Sequence, residues 1–266
     1  MKKIKIYQID AFTDKLFKGN PAAICILNKW ISDELMQSIG YENNLAETAF
    51  VVPKGKDFEI RWFTPSIEVD LCGHATLAAA FVLFDLNNYS DSDSEIKFIS
   101  PRSGLLTVTK EKDMLFLDFP TDTLQLINNE KDIVEKCIGI NPIEIYKGKT
   151  DYIAIINKEN ELKRLQPDLE KISKLESRGL VVTAQGDNVD FVSRFFAPQS
   201  GIDEDPVTGS THTSLTPLWS KKLSKDKLTA YQLSERGGHL MCELKGKRCL
   251  IGGKARLYMI GEINIG

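Results

Sequence analysis

"DFEIRWFTPSIEVDLCGHATLAAA", residues 57–80, passes from a charged-apolar alternation through a Pro turn into Cys-Gly-His at the mouth of an alanine-rich segment. Phe58, Ile60 and Trp62 alternate with Glu59, Arg61 and Phe63, the period-two mark of a half-buried strand. "HATLAAAFVLFDL" (74–86) is apolar on every side. A helix apolar all round is buried all round, which places this one at the centre of a curled sheet. The same order returns in "DFVSRFFAPQSGIDEDPVTGSTHTSL" (190–215). Asp57 to Pro65 and Asp190 to Pro198 share Asp, Phe, Arg, Phe and Pro at five of nine positions, offset by 133 residues in a chain of 266. The second copy then carries three extra residues, so Gly73 falls opposite Gly209 and His74 opposite Ser210. A duplicated unit half the length of the chain predicts two halves of one plan.

Strands dominate both halves. "EIKFIS", "LLTVT" and "MLFLDF" (95–119) are separated by turn residues and predict a meander. "GLVVTAQGDNVDFVSRFF" (179–196) predicts a hairpin, and "STHTSLTPLW" (210–219) a second helix that Pro217 should kink or end. "PTDTLQLINNEKD" (120–132) is polar and turn-rich, the expected linker. The reading is α+β, because helices do not alternate regularly with strands. Each half is a mixed β-barrel around a central helix, the two related by a pseudo-twofold. The domains run 1–119 and 120–266, with the C-terminal strand free to return to the first.

Composition excludes several function classes. A net charge of −3 gives no basic stripe for nucleic acid. The lysines of "KKLSKDKL" (221–228) read as a solvated face. Five scattered cysteines, odd in number and never in a Cys-x-x-Cys spacing, argue against a disulfide framework and a structural zinc. No apolar run reaches the ~18 residues of a membrane span, and the N-terminus lacks the apolar core of a signal peptide. The cytoplasm is the expected compartment, with neither nucleic acid nor membrane as partner.

The first N–H groups of a helix have no partner within it, and the peptide dipoles leave about half a positive charge there. Two such starts facing one another across a cleft would hold an anion. Gly73 and Gly209 would let a ligand approach the backbone. The neighbouring side chains differ between halves: Cys72 and His74 in the first, Asp203, Glu204, Asp205 and Ser210 in the second. Glu47, in "NNLAETAF" before the strand Thr48–Val52, has Leu180 as its counterpart at the same offset, so this acid belongs to one half alone. A symmetric scaffold with an asymmetric acid gives Glu47 a task the fold does not require. Blander roles stand beside these: Glu47 as a solvated strand entry, Cys72 as a small packing residue, His74 as a capping residue, Asp205-Pro206 as a turn. His212 and His239 have no partner at ligand spacing, and no metal is expected.

"QIDAFTDKLFKGNPAAI" (8–24), "NLAETAFV" (44–51), "RWFTPSIEVDLCGHATLAAA" (61–80), "DEDPVTGSTHTSLTPLW" (203–219) and "GGKARLYMIGEI" (252–263) together resemble the PhzF family, named for a phenazine-biosynthesis isomerase. The resemblance implies a diaminopimelate-epimerase-like fold, an enzyme without cofactor, and commonly a homodimer. It implies that Glu47 is the catalytic glutamate of the E-T-A-F motif, with His74 and Asp205 as further catalytic groups. It also implies that Gly73, Gly209 and Ser210 meet a substrate carboxylate and that Asn20 lies at the cleft floor. More distant epimerase relatives use two thiols. Here Cys72 stands where one would, but "DPVTG" has no cysteine, and Arg236 in the loosely matching "QLSERGGHL" receives no role.

The expected function is a cofactor-independent isomerase acting on a small carboxylate-bearing metabolite. Glu47 removes a proton from carbon, in a site dry enough to suit that task. His74, Asp205 or Glu47 itself returns one elsewhere on the skeleton. The alternatives are an amino-acid racemase or epimerase using Cys72, and a small-molecule-binding protein without catalysis.

Overall fold

The computed structural model describes residues 2–87, 94–127 and 129–266. The chain divides into two compact units, Met1–Asp118 with Gly252–Gly266, and Phe119–Ile251.

In the first unit the chain forms β1 (Lys2–Ala11), β2 (Asn20–Ile26), α1 (Asp33–Asn43), β3 (Glu47–Lys54), β4 (Asp57–Phe63), the short β5 (Glu68–Val69), α2 (Gly73–Phe81), β6 (Glu95–Ser100), β7 (Gly104–Glu111) and β8 (Met114–Pro120). The last strand of the chain, β17 (Ala255–Ile265), pairs with β1. The ladder runs β17–β1–β2–β3–β4–β6–β7–β8, antiparallel except at β2–β3 and β4–β6. The predicted meander is β6–β7–β8. The predicted apolar helix is α2, which packs against β1, β2 and β3 with Ala75, Leu77, Ala78, Ala79 and Ala80 all buried. Its alanines let the strands approach closely, and a π-helical turn, Val82–Leu86, ends it.

The second unit contains β9 (Gln125–Ile127), α3 (Lys131–Ile138), β10 (Glu144–Lys147), β11 (Asp151–Ile155), α4 (Glu159–Arg164), α5 (Leu169–Ile172), β12 (Gly179–Gln185), β13 (Phe191–Phe196), α6 (His212–Leu223), β14 (Lys227–Gln232), β15 (Gly238–Lys245) and β16 (Arg248–Gly253). Its ladder runs β9–β10–β11–β12–β13–β14–β15, parallel only at β11–β12 and β13–β14. From β17 to β7 and from β9 to β15 the sequence of strand directions is the same. The fold is α+β, a mixed sheet with a central helix in each unit. No described helix is long and apolar enough to cross a membrane.

The repeated residues turn out to be scaffold. Arg61 grips Glu68 with Nε and one terminal nitrogen at 2.7 and 2.8 Å, and Arg194 grips Glu204 at the same two distances. Each guanidinium also lies over a phenylalanine ring, Phe63 at 5.2 Å and Phe196 at 4.9 Å. The acids are 136 residues apart and the arginines 133, so the extra residues of the second copy lie between arginine and acid. This planar two-point hold ties the strand end to the segment that leads into the helix.

Three expectations change. Thr48 pairs with Phe63 and Leu180 with Phe196, so the counterpart of Glu47 is Gly179 and not Leu180. A side chain at Gly179 has no space, since a Cβ there would lie 2.5 Å from the Phe196 carbonyl oxygen and 2.6 Å from the Phe195 ring. The acid is still confined to one half. Pro217 does not end α6, which continues to Leu223. A proline at this position cannot bond the carbonyl one turn back, that of Thr213, and the Asp122 amide donates to that oxygen at 3.1 Å instead. Asp122 belongs to the segment read as a linker. That segment is hydrogen-bonded through Thr121, Asp122 and the β9–β10 ladder, while its residue 128 lies outside the described residues.

Candidate active site

In the first unit, α1 ends in a left-handed Asn44 whose amide donates to the Gly40 carbonyl, a C-terminal cap that favours Asn or Gly. Three residues later β3 begins with Glu47, so its carboxylate stands at the mouth of the strand. β3 packs against α2, whose first residues are Gly73 and His74. The outcome is that Glu47 Oε2 lies 3.2 Å from His74 Nε2, with 13 % and 7 % of the two side chains exposed. Cys72 Sγ lies 3.5 Å from the other ring nitrogen, Nδ1. Asn20, fully buried, opens β2. Gly19 before it adopts a positive φ of 67°, and a Cβ there would strike the Ala11 carbonyl oxygen at 2.1 Å. Glycine at position 19 is therefore demanded by the backbone.

The separation of Glu47 and His74 would suit an ion pair, but burial decides otherwise. Removal from water pushes the imidazole down to about 3, against the opposing pull of the Pro21 carbonyl, which accepts a hydrogen bond from the ring. His74 is therefore neutral at physiological pH, with one nitrogen holding a proton and the other a lone pair. His74 Nε2 sits within Coulomb reach of the carboxylate yet outside hydrogen-bond geometry. A neutral imidazole beside a carboxylate, both nearly buried, is an arrangement chemically able to exchange a proton.

The second unit gathers Asp205, Gly209 and Ser210 around the approach to α6. The helix proper begins at His212, later than the sequence implied. Gly209 and Ser210 form a preceding turn, their carbonyls accepting from the His212 and Thr213 amides at 3.1 Å each. Asp205 is buried and accepts a short hydrogen bond from the Thr208 hydroxyl. Asp203 is exposed, and Glu204 is occupied by Arg194. His212, fully buried, is held by the Thr208 carbonyl at 2.8 Å and stays uncharged, burial pushing it down to about 4.

Sequence reading missed two residues here. Gln232, fully buried, donates to the Asp205 carbonyl at 2.8 Å and accepts from the Thr208 amide at 2.9 Å, fixing the loop that presents Asp205. Arg178 donates to Ser210 Oγ at 3.0 Å and grips Asp151 with two further hydrogen bonds of 2.9 and 2.5 Å. Burial works against the Arg178 charge, but its hydrogen bonds to Asp151 and the nearby Asp205 and Asp122 carboxylates outweigh that and raise its pKa. Ser210 Oγ accepts from Arg178, which leaves its own hydrogen for donation. The only sequence signal was position: Arg178 immediately precedes Gly179, the residue that answers to Glu47.

Among the described residues, Glu47, Cys72 and His74 form a cluster of three metal-capable donors, with one ligand atom from each lying within 4.8 Å of the others. All five cysteines are free thiols and buried.

Residues 9–261 match the PhzC-PhzF family, described as phenazine biosynthesis-like protein. An uncharacterized isomerase of Pseudomonas aeruginosa is 46% identical over 263 residues, covering 99% of each chain. The crystal structure of a PhzF-family phenazine biosynthesis protein of Enterococcus faecalis superposes with a TM-score of 0.93 at 45% identity, covering 99% of this chain and 100% of that one. A hydroxyproline epimerase of Agrobacterium vitis shares the fold alone, with a TM-score of 0.63 at 10% identity over 98% of this chain and 92% of the epimerase. By end-to-end sequence match and by fold, this chain belongs to the PhzC-PhzF family and is an isomerase.

Proposed function

We propose that the protein moves a proton between carbon atoms of a small carboxylate-bearing metabolite by acid–base catalysis. The observation that carries this reading is the buried pair of Glu47 and neutral His74, 3.2 Å apart at the start of α2. Glu47 takes the proton from carbon. His74, whose ring keeps one lone pair, receives or returns it. In the second unit Arg178 holds Ser210 Oγ at 3.0 Å and Asp205 accepts from the Thr208 hydroxyl, an arrangement suited to a carboxylate ligand. At Gly73 no side chain stands between a ligand and the first amides of α2. A positioned acid–base group contributes ~100- to 10,000-fold.

The test is isotopic. The protein is incubated in D₂O with pools of small carboxylic acids, and each acid is weighed by mass spectrometry for gain of deuterium. The wild type labels its substrate, and Glu47→Gln, folded by circular dichroism, labels it ~100-fold more slowly or worse. Undiminished labelling by that variant would falsify the role of Glu47.

A second reading has its own observation. Cys72 Sγ lies 3.5 Å from His74 Nδ1, a contact that would let the thiol act as one acid of an amino-acid racemase or epimerase. Inversion of an α-carbon by the wild type, lost in Cys72→Ser while Glu47→Gln retains it, would move the assignment to Cys72.

A further inference from the structure

The thiol, imidazole and carboxylate at the start of α2 have a chemistry that proton transfer does not use. Tetrahedral zinc, with bonds of roughly 2.0–2.3 Å to nitrogen, oxygen and sulfur, sets its donor atoms about 3.3–3.6 Å apart. Glu47 Oε2 and His74 Nε2 are 3.2 Å apart, and Cys72 Sγ and His74 Nδ1 are 3.5 Å apart. One donor atom from each of Glu47, Cys72 and His74 lies within 4.8 Å of the others, a cluster that a small contraction brings to zinc spacing. The ion takes one nitrogen of the ring, so binding draws either the sulfur or the carboxylate inward along the ring edge. An independent sign is that His74 Nε2 is buried and completes no hydrogen bond although it lies beside a carboxylate oxygen. Thiolate, imidazole and carboxylate together select zinc and its softer neighbours over magnesium and calcium, which prefer oxygen.

We infer that Glu47, Cys72 and His74 form a zinc-binding site that switches the isomerase off. Three protein donors hold the ion, and the fourth position stays open to water or to a carboxylate of the substrate. Cys72 loses its proton to solvent on binding, and the imidazole enters without losing one, so one proton is released per ion. The metal occupies the carboxylate that would otherwise take a proton from carbon. The inhibitory part of this inference rests on the role proposed for Glu47; the binding part does not.

The experiment uses the intact, reduced protein stripped with EDTA and titrated with cobalt(II) as a spectroscopic stand-in for zinc. The expected result is a near-ultraviolet thiolate-to-cobalt band that saturates at one equivalent, is displaced by zinc and is untouched by magnesium. The band disappears in Cys72→Ala and survives in His239→Gln, which alters the exposed histidine. A competing chelator shows zinc affinity at least tenfold weaker in His74→Gln, with folding of each variant checked by circular dichroism. Absence of the band in the wild type, or its persistence in Cys72→Ala, overturns the site. Deuterium labelling that stops with zinc and resumes with EDTA supports the switch. Labelling that continues through zinc saturation overturns it. A cobalt band in a protein whose labelling ignores Glu47→Gln leaves the metal site standing and removes the catalytic reading, so the two fail separately.

Discussion

His74 and Arg178 show how one side chain takes its chemistry from its surroundings. The imidazole is neutral because burial withholds water from it, so a pH–rate profile for proton exchange should lack an imidazole limb between pH 5 and 8. A limb near pH 6.5 that vanishes in His74→Gln would contradict this. Under the proposed function Arg178 acts through Ser210, as a positioning residue. Replacing it with Met frees the Ser210 hydroxyl and should raise KM about tenfold, the scale of one charge-assisted hydrogen bond, while kcat changes less. Arg178→Lys should recover part of that loss, since it restores the charge without the planar grip on Asp151. Equal losses in KM and kcat, unrelieved by Lys, would make Arg178 merely structural. Glu47 was legible from the sequence because it lacks a duplicate. Arg178 was not, because nothing in "ESRGLVV" announces which hydroxyl lies in front of it.

At the scale of elements, duplication explains the scaffold, and the departures from it explain the site. β3 and β12 are counterparts, yet one opens with Glu47 and the other with Gly179, packed against the Phe195 ring. Gly179→Ala should destabilise the protein by ~1–3 kcal/mol through overpacking, measured by urea unfolding; a neutral effect would show that the ring can retreat. α6 survives Pro217 because Asp122 supplies the missing amide, and the Asp122 carboxylate in turn accepts from Ser214 Oγ at 2.9 Å and from the Thr123 and Lys149 amides. Asp122→Ala strands those donors and should cost about 1–3 kcal/mol. The helix and hairpin periods were legible because burial alternates with the geometry of each element. The continuation of α6 was not, since its rescue comes from residues 95 positions earlier in the chain.

Over the whole molecule, each unit buries one uncharged histidine at its helix start, His74 falling to about 3 and His212 to about 4. Both lie below the unfolded value of about 6.5. Unfolding therefore takes up protons: their contribution is fully present above pH 6.5 and drains away as pH falls toward 4 and 3. Between pH 6.5 and 5 each should cost about 2 kcal/mol of stability. Unfolding measured across that range should steepen accordingly, and His212→Gln should remove about half of the slope; an unchanged slope would mean that His212 titrates freely. The sequence by itself determined the duplication, the mixed strands around a buried alanine-rich helix, and the lone acid at residue 47, because these are matters of residue period and of comparison between two copies of one chain. Tertiary structure alone decided that Glu47, Cys72 and His74 lie together, that the imidazole carries no charge, and that Ser210 Oγ accepts from Arg178. Distance and desolvation depend on how sequence-remote segments pack, and no local pattern encodes them.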